Sequence, residues 1–364
     1  MRRPILVFIL VTLLLATFLL HTVSTLLSLL IEDAAADAIQ KSELPAPNST
    51  LLSQRPQVIP KIIHQTYKNT TIPTAWRAAQ QSCIDLHPDY EYNLWTDAKA
   101  EAFIRNEYPW FLTTFLSYEH PIQRADSIRY FVLSHYGGVY IDLDDGCHRR
   151  LDPLLSYTAF VRRTIPTGIS NDVMGCIPQH PFFLRVIESL QGANKKWFLP
   201  YITIMASTGP LFLSLVWKKW MTEHASLINL AADGAEWTGR VRVLMPDEYH
   251  GHSWSFFDTY MGNSWHGGDA RFIFWMGRNW MLLTASGFVL AATLGLGIWW
   301  VYGRILLLGQ RRKGFVLTSP HLVAARPRAP NGTGKTVPLW RKWRPTSGEF
   351  GGKIVYELIE QHDA

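Results

Sequence analysis

Cysteine is scarce in this chain: Cys83, Cys147 and Cys176 are the only three in 364 residues. At most one disulfide can form, and the spacing fits neither a zinc cage nor the framework of a disulfide-rich secreted domain. No internal repeat is present. The composition is neither that of a disordered chain nor collagen-like, and the length suffices for one sizeable domain with appendages, its core held without metal or disulfide staples.

Charge is absent from two long runs. Between Arg3 and Glu32 lie about 28 uncharged, mostly aliphatic residues, more than the ~20 that cross a bilayer as a helix. The run predicts a transmembrane helix over 5–31. A cleaved signal peptide is the competing reading, with Ala34-Ala35-Ala36 as its small-residue site, although such a signal has an apolar core of only about 7–15 residues. A second run of about 25 residues, Asn279 to Gly303, has Trp280 at one end and Trp299, Trp300 and Tyr302 at the other. Interfacial aromatics belong there, so a second span is expected over 279–303, with a buried core helix as the alternative.

Positive charge flanks the outer ends of both runs: Arg2 and Arg3 before the first, Arg304, Arg311, Arg312 and Lys313 after the second. By the positive-inside rule residues 1–4 and the basic tail 304–364 face the cytosol and the segment between the spans faces the lumen. The net charge of +6 divides along the same lines: residues 32–275 carry 25 acidic against 21 basic side chains, and 304–364 carries 4 against 11. The basic surplus therefore belongs to a tail beside an anionic leaflet and implies no nucleic-acid partner.

Residues 32–57, with Leu44-Pro45-Ala46-Pro47, read as a lumenal stem lifting the next domain off the membrane. Asn48 and Asn69 head glycosylation sequons on the lumenal side, and Asn331, in the tail, should stay unmodified. From Ile59 onward short apolar runs alternate with amphipathic ones, as in a mixed α/β domain over 58–275. Strands are expected at Lys61–Tyr67 and Tyr90–Trp95, with a helix containing Trp76 and Ala79 between them.

Pro121 suits a helix start, and Ile122, Ala125, Ile128 and Val132 trace one apolar stripe until Gly137-Gly138 stops the helix. Val139-Tyr140-Ile141 then forms a short buried strand, and Asp142-Leu143-Asp144-Asp145-Gly146 emerges from its end. Three carboxylates within four residues repel one another unless a cation lies between them, and a divalent metal is the economical answer. Alternation points Asp142 and Asp144 to the same side. Asp126 and Arg129 share a face of the preceding helix. The competing readings are a polar turn for the carboxylates and a surface ion pair for Asp126 and Arg129.

Arg124-Ala125-Asp126, Arg129-Tyr130, Gly137-Gly138-Val139-Tyr140 and Asp142-Leu143-Asp144 together resemble the sugar-binding DXD region of glycosyltransferase family 32, and the likeness runs from Ile59 to about His266. Tyr140–Leu155 and Ser170–Gly175 resemble the fungal inositol phosphorylceramide mannosyltransferases, which also carry a span after the catalytic domain. The resemblance implies a GT-A type α/β domain, a GDP-mannose donor, Mn²⁺, retention of anomeric configuration and residence in the Golgi membrane. It places Asp142 and Asp144 on the metal, the diphosphate and the ribose, and Asp126 and Arg129 on the sugar hydroxyls. His64, Gln65, Thr66 and Tyr67 would receive the nucleotide, with Tyr67 stacking on guanine or packing in the core. Ser264-Trp265-His266 resembles a Ser-Trp element that closes the family's site, and His266 would complete the metal shell, although related chains often place the His before the Ser-Trp pair. Asn171 and Asp172, read as part of a Gly- and Ser-containing loop, would contact sugar or acceptor, with a helix cap as the alternative for Asp172.

His180-Pro181 and Thr208-Gly209-Pro210 read as turns before helices. Cys147 reads as a packed thiol or a partner for Cys176. The aromatic cluster from Trp254 to Trp275, directly before the second span, suits a membrane interface and hence a sphingolipid acceptor, with core packing explaining part of it. The partners expected are a nucleotide-sugar and that lipid, with room for a membrane regulatory subunit. Three other functions compete: a haloacid-dehalogenase-type phosphohydrolase, which normally continues its Asp-x-Asp with Thr, an inactive regulatory subunit, and a mannosyltransferase acting on protein-linked glycans.

Overall fold

The computed structural model describes residues 2–32, 34–46, 56–165, 167–227, 238–260, 262 and 267–317, which divide into two units between Leu283 and Thr284. The chain opens with helix α1, Arg2–Leu30. Leu10, Leu13, Leu14, Leu15 and Phe18 on it are exposed.

The domain after α1 is built on a mixed sheet of six strands: β1 (Ile62–Thr66), β2 (Glu91–Trp95), β3 (Gly138–Ile141), β5 (Ala159–Arg163), β6 (Ile169–Cys176) and β7 (Arg242–Leu244), with β4 (Asp145–Cys147) outside it. The order is β2-β1-β3-β6-β5-β7. β1 runs parallel to β2 and β3, β6 antiparallel to β3 and β5, and β5 parallel to β7. Helix α2 (Thr74–Leu86) carries the chain from β1 to β2, and α3 (Asp97–Glu107), α4 (Pro109–Ser117) and α5 (Pro121–Tyr136) carry it from β2 to β3. Helices α6 (Pro181–Ala193), α7 (Pro200–Ser207) and α8 (Pro210–Glu223) follow the sheet's last hairpin. The α/β class, both early strands and the α5–β3 unit are therefore where the sequence pattern puts them.

Strand periodicity explains why both faces of the sheet are covered. Tyr140 points to one apolar cluster, with Phe111, Ile128 and Phe131, while Val139 and Ile141 point to the other, with Ile63, Leu154 and Phe257. Each such fully buried side chain contributes about 1.5–3 kcal/mol. Gly137 and Gly138 end α5 with φ of +68° and +91°, and a Cβ on Gly138 would lie 2.6 Å from the Ile62 carbonyl. Only glycine passes that corner, and the corner aims β3.

A short helix α9 (Pro246–Tyr249) leads to β8 (Phe257–Thr259), which pairs antiparallel with β4. Helix α10 (Gly268–Arg278) comes next. The second expected span is α11, Trp280–Leu317, whose Trp280–Arg304 stretch has no buried residue.

Two details depart from the sequence reading. Cys147 is bridged to Cys83, and Cys176 is a free, buried thiol. The pairing follows from α2 packing against β4, a contact that the sequence does not announce. Residues 34–46, read as part of a lifting stem, are seated on the domain instead. Ala38 bridges to Val243, Arg240 binds Asp37 at 2.8 Å, and Arg242 binds Glu43 at 2.6 Å, so the segment continues the sheet beyond β7. Asn48, by contrast, lies outside the described residues.

Candidate active site

α5 holds the first half of the site. Its N-terminus is closed by a capping box between His120 and Gln123 with Pro121 in the first turn, which fixes the helix and so the face carrying Asp126 and Arg129. Both are nearly inaccessible, at 5% and 4% exposure. Arg129 Nη2 meets Asp126 Oδ1 at 3.0 Å, the Asn171 amide donates to the same oxygen at 3.0 Å, and the Thr208 hydroxyl donates to Oδ2 at 3.1 Å. Burial raises the Asp126 pKa while Arg129 opposes it. Burial alone would lower Arg129, but Asp142, Tyr140 and Asp126 hold it firmly charged.

The second half lies at the exit of β3. Tyr140 donates its hydroxyl to Asp142 Oδ1 at 2.6 Å and in turn accepts from Thr66 at 2.8 Å. Arg129 Nη1 reaches Asp142 Oδ2 at 3.2 Å and the Asn171 carbonyl at 2.8 Å, so one guanidinium ties the two halves together. Asp145 pairs with Arg162 at 3.0 Å, and the same Arg162 pairs with Asp172 at 3.0 Å. Burial pushes Asp142 up to about 7 with Asp144 adding to the rise against Arg129, pushes Asp145 up to about 7 against Arg162, and raises Asp144. Asp144 turns toward Gly262, where a Cβ would fall 1.6 Å from its Oδ2, and its carbonyl accepts from the Tyr260 amide at 2.7 Å. Only a residue without a side chain passes over that carboxylate.

A cavity of about 1200 Å³ joins these groups. Asp126, Arg129, Asp142, Asp144, Asn171 and Asp172 all line it, as do Thr66 and Tyr67 at the end of β1. Tyr67 meets Trp76 edge to face at 5.9 Å. His64 and Gln65 do not reach the cavity. His64 is fully buried between the Gly137 carbonyl at 2.9 Å and the Trp95 indole at 3.1 Å, and Gln65 accepts from Tyr92 at 2.8 Å. Asn171 and Asp172 sit in strand β6, not in a loop, and Asp172 caps no helix. Antiparallel pairing carries them past β3 with their side chains toward the carboxylates. Ser264, Trp265 and His266 lie outside the described residues. The aromatics before the second span divide: Phe256 and Phe257 are core, while Phe272, Phe274 and Trp275 are exposed.

Among the described residues, seven carboxylates and four cationic side chains line the cavity: Asp97, Glu101, Asp126, Asp142, Asp144, Asp145 and Asp172 against Lys68, Arg124, Arg129 and Arg162. That excess, concentrated where Asp142 and Asp144 meet and where burial already resists ionisation, fits a divalent cation. No group of three His, Cys, Asp or Glu side chains forms a complete cage among the described residues. Substrate oxygens and water would supply the remaining ligands, as is usual for a hard cation held by one or two carboxylates. Sequence reasoning gave no role to Tyr140, Arg162 or Gly262, and expected only structure of Thr208. Tyr140 lay inside the motif, two positions from Asp142, and Thr208 inside a turn, but Arg162, Thr208 and Gly262 stand 10 to 118 positions from the carboxylates they meet, in ways no spacing displays.

Residues 73–161 match the family described as the glycosyltransferase sugar-binding region containing the DXD motif. The mannosyl phosphorylinositol ceramide synthase CSH1 of Saccharomyces cerevisiae is 52% identical over 292 residues, 79% of this chain and 75% of that protein. The synthase SUR1 of the same yeast is 49% identical over 79% of this chain and 72% of its own. Inositol phosphoceramide mannosyltransferase 2 of Schizosaccharomyces pombe is 50% identical over 70% of this chain and 73% of its own.

Proposed function

Because this chain belongs to the DXD-containing glycosyltransferase family of the mannosyl phosphorylinositol ceramide synthases, we propose that it transfers mannose from GDP-mannose to inositol phosphorylceramide, with retention of configuration. It is a glycosyltransferase. The observation that supports this reaction best is the convergence of Asp126, Arg129, Asp142 and Asp144 on one cavity. The same convergence weighs against an inactive subunit, and family membership against a phosphohydrolase.

In the transfer, the bond from the mannose anomeric carbon to the diphosphate oxygen breaks and a bond to an inositol hydroxyl oxygen forms, the hydroxyl proton passing to solvent or to the departing diphosphate. Asp144, with Asp142 behind it, would hold a divalent cation, for which we propose Mn²⁺, with His266 a further ligand. When bound, the cation neutralises charge that develops on the departing diphosphate. Asp126 and Arg129 accept from and donate to the sugar hydroxyls from a rigid mount, since Thr208 and Asn171 fix Asp126 on both oxygens. Tyr67 and Trp76 offer a π-face for the base. Preorganisation of this kind lets positioning supply much of the rate.

The charge pattern supports a lumenal domain with both termini cytosolic, and the membrane we propose is that of the Golgi. Asn69 is exposed, its side chain closing a turn on the Thr71 amide at 2.9 Å, so its sequon is accessible. Glycan mapping should find sugar on Asn48 or Asn69 and none on Asn331. Sugar on Asn331 would overturn this topology. The reaction itself is tested by incubating the purified full chain with Mn²⁺, a panel of nucleotide-sugars and either inositol phosphorylceramide or soluble oligomannose. Transfer from GDP-mannose to the lipid is expected, and efficient transfer to oligomannose would contradict it.

A further inference from the structure

The first hydrophobic helix does more than hold the domain at a membrane. Leu26, Leu29 and Leu30, spaced i, i+3 and i+4 on one face of α1, line the same cavity that holds Asp142 and Asp144. Leu27, one residue along and about as exposed as Leu26, does not line it. The helix cannot turn another face inward. Leu29 is 2% exposed within the core cluster that includes Leu213 and Trp217, its carbonyl accepts from the Thr167 hydroxyl, Arg163 holds the Glu32 carbonyl at 2.6 Å, and Lys218 pairs with the Glu32 carboxylate.

Depth explains what this end of the cavity meets. At 1.5 Å per residue a hydrocarbon core of about 30 Å consumes roughly 20 residues, so a span beginning at Pro4 leaves it near Val23. Leu26 to Leu30 then stand at headgroup level. The Arg163–Glu32 and Thr167–Leu29 contacts set Ile165, 72% exposed, beside this end of α1, and the lining of the same cavity also includes Leu211 and Phe274, the latter 45% exposed. One cavity thus has a leucine end at the bilayer surface and a carboxylate end in the domain, which is the polarity of a single-headed amphiphile.

We infer that the α1 face formed by Leu26 and Leu30, together with Ile165, is an apolar subsite for the hydrocarbon chains of the lipid acceptor, and that it sets the acceptor's specificity. The inference rests on the lipid-acceptor reading and names the part of the molecule that reads the lipid. A chain lying along α1 keeps most of its length in the bilayer while its headgroup enters between Asp144 and Arg162. The span is then a substrate-binding element, and an unrelated transmembrane helix of equal length does not replace it.

The test uses the full chain in mixed micelles of nonionic detergent and inositol phosphorylceramide, with GDP-mannose and Mn²⁺ fixed. Leu26→Gln/Leu30→Gln should raise the apparent KM for the lipid about tenfold, the size that losing one buried apolar contact produces. Leu26→Ala/Leu30→Ala, which keeps the span apolar, should move it in the same direction by about threefold, the loss expected from shortening side chains that are only partly covered. Leu27→Gln, at the same depth, should leave it unchanged. Hydrolysis of GDP-mannose without acceptor, and transfer to chainless inositol phosphate, should be unaffected in every variant, which also shows that the domain is folded. An unchanged KM in both cavity-facing pairs, or equal losses on the chainless acceptor, would overturn the inference while leaving the acceptor reading intact. A wild-type chain that transfers to neither the lipid nor its headgroup overturns the acceptor reading instead.

Discussion

The α5 half of the site and the β3 exit are made of the same residue types, yet their charges are answered differently. At α5, Asp126 has Arg129, Asn171 and Thr208 on its two oxygens, and all of this is buried. At the β3 exit, Asp142, Asp144, Asp145 and Asp172 share Arg129 and Arg162, and burial pushes Asp142 and Asp145 up toward neutrality. The first half is complete as protein alone and can serve as a rigid mount. The second half holds more negative charge than the chain answers, so its stable charged form needs something brought in with the substrate. A site that must bind a metal–diphosphate and let it go has reason to be built this way, since a fully paired exit would offer the cation nothing.

The comparison breaks most visibly at Arg129, the one group shared by both halves. Arg129→Met should destabilise the domain by about 3–5 kcal/mol, because the buried Asp126 and the partly buried Asp142 lose their partner, and a denaturant midpoint shift measures it. A loss below about 1 kcal/mol would mean that the pairing contributes little. The exit half should respond in activity instead. Asp144→Ala is expected to cost about 10²–10³-fold in turnover, the range for removing one electrostatic stabiliser, with the melting temperature nearly unchanged because Asp144 is only half-buried.

Histidines in the paired interior sharpen the contrast through pH. Burial lowers the pKa of His64 to about 4 and that of His180 to about 4, below the ordinary value of 6.5. A lowered folded-state value means that stability is fully present above about 6.5 and is lost as pH falls through about 4. Each shift corresponds to about 3 kcal/mol. For His64 geometry adds to burial: Nε2 donates to the Gly137 carbonyl and Nδ1 accepts from the Trp95 indole, so a second proton would set N–H against N–H. Denaturant midpoints recorded from pH 7 to 4 should fall, and His64→Gln, which cannot titrate, should flatten part of the slope. An equally steep fall in that variant would assign the acid sensitivity elsewhere.

The smallest effect is steric. Gly262→Ala should lower turnover about tenfold, about 1.4 kcal/mol in the barrier, by forcing the Asp144 carboxylate aside, while leaving stability within about 0.5 kcal/mol. Unchanged turnover would show that Asp144 moves freely beneath that segment.

The half of the site written along one stretch of chain was legible in the sequence. A proline start, an apolar stripe, a Gly-Gly stop and an Asp-rich strand exit are local features, and α5 and β3 form where they fall. What sequence could not show depends on partners far along the chain. Arg162 answers both Asp145 and Asp172 only because β6 lies between β3 and β5. Thr208 reaches Asp126 across 82 positions, and Cys83 meets Cys147 across 64. The region after α1 misled for a related reason: its Ala- and Pro-containing composition looks like a spacer, but Asp37 and Glu43 meet Arg240 and Arg242 about 200 positions away. His64 and Gln65 show the converse, since their strand end was foreseeable and the direction of their side chains was not.

The most direct measurement is mannose transfer from GDP-mannose to inositol phosphorylceramide by the full chain, first stripped with a chelator and then titrated with Mn²⁺, for wild type and Asp144→Ala side by side. The account predicts that transfer vanishes on chelation, returns with Mn²⁺ in the wild type, and stays about 10²–10³-fold lower in the variant at saturating metal. Full transfer in the presence of chelator, or near-normal turnover by Asp144→Ala, would contradict it.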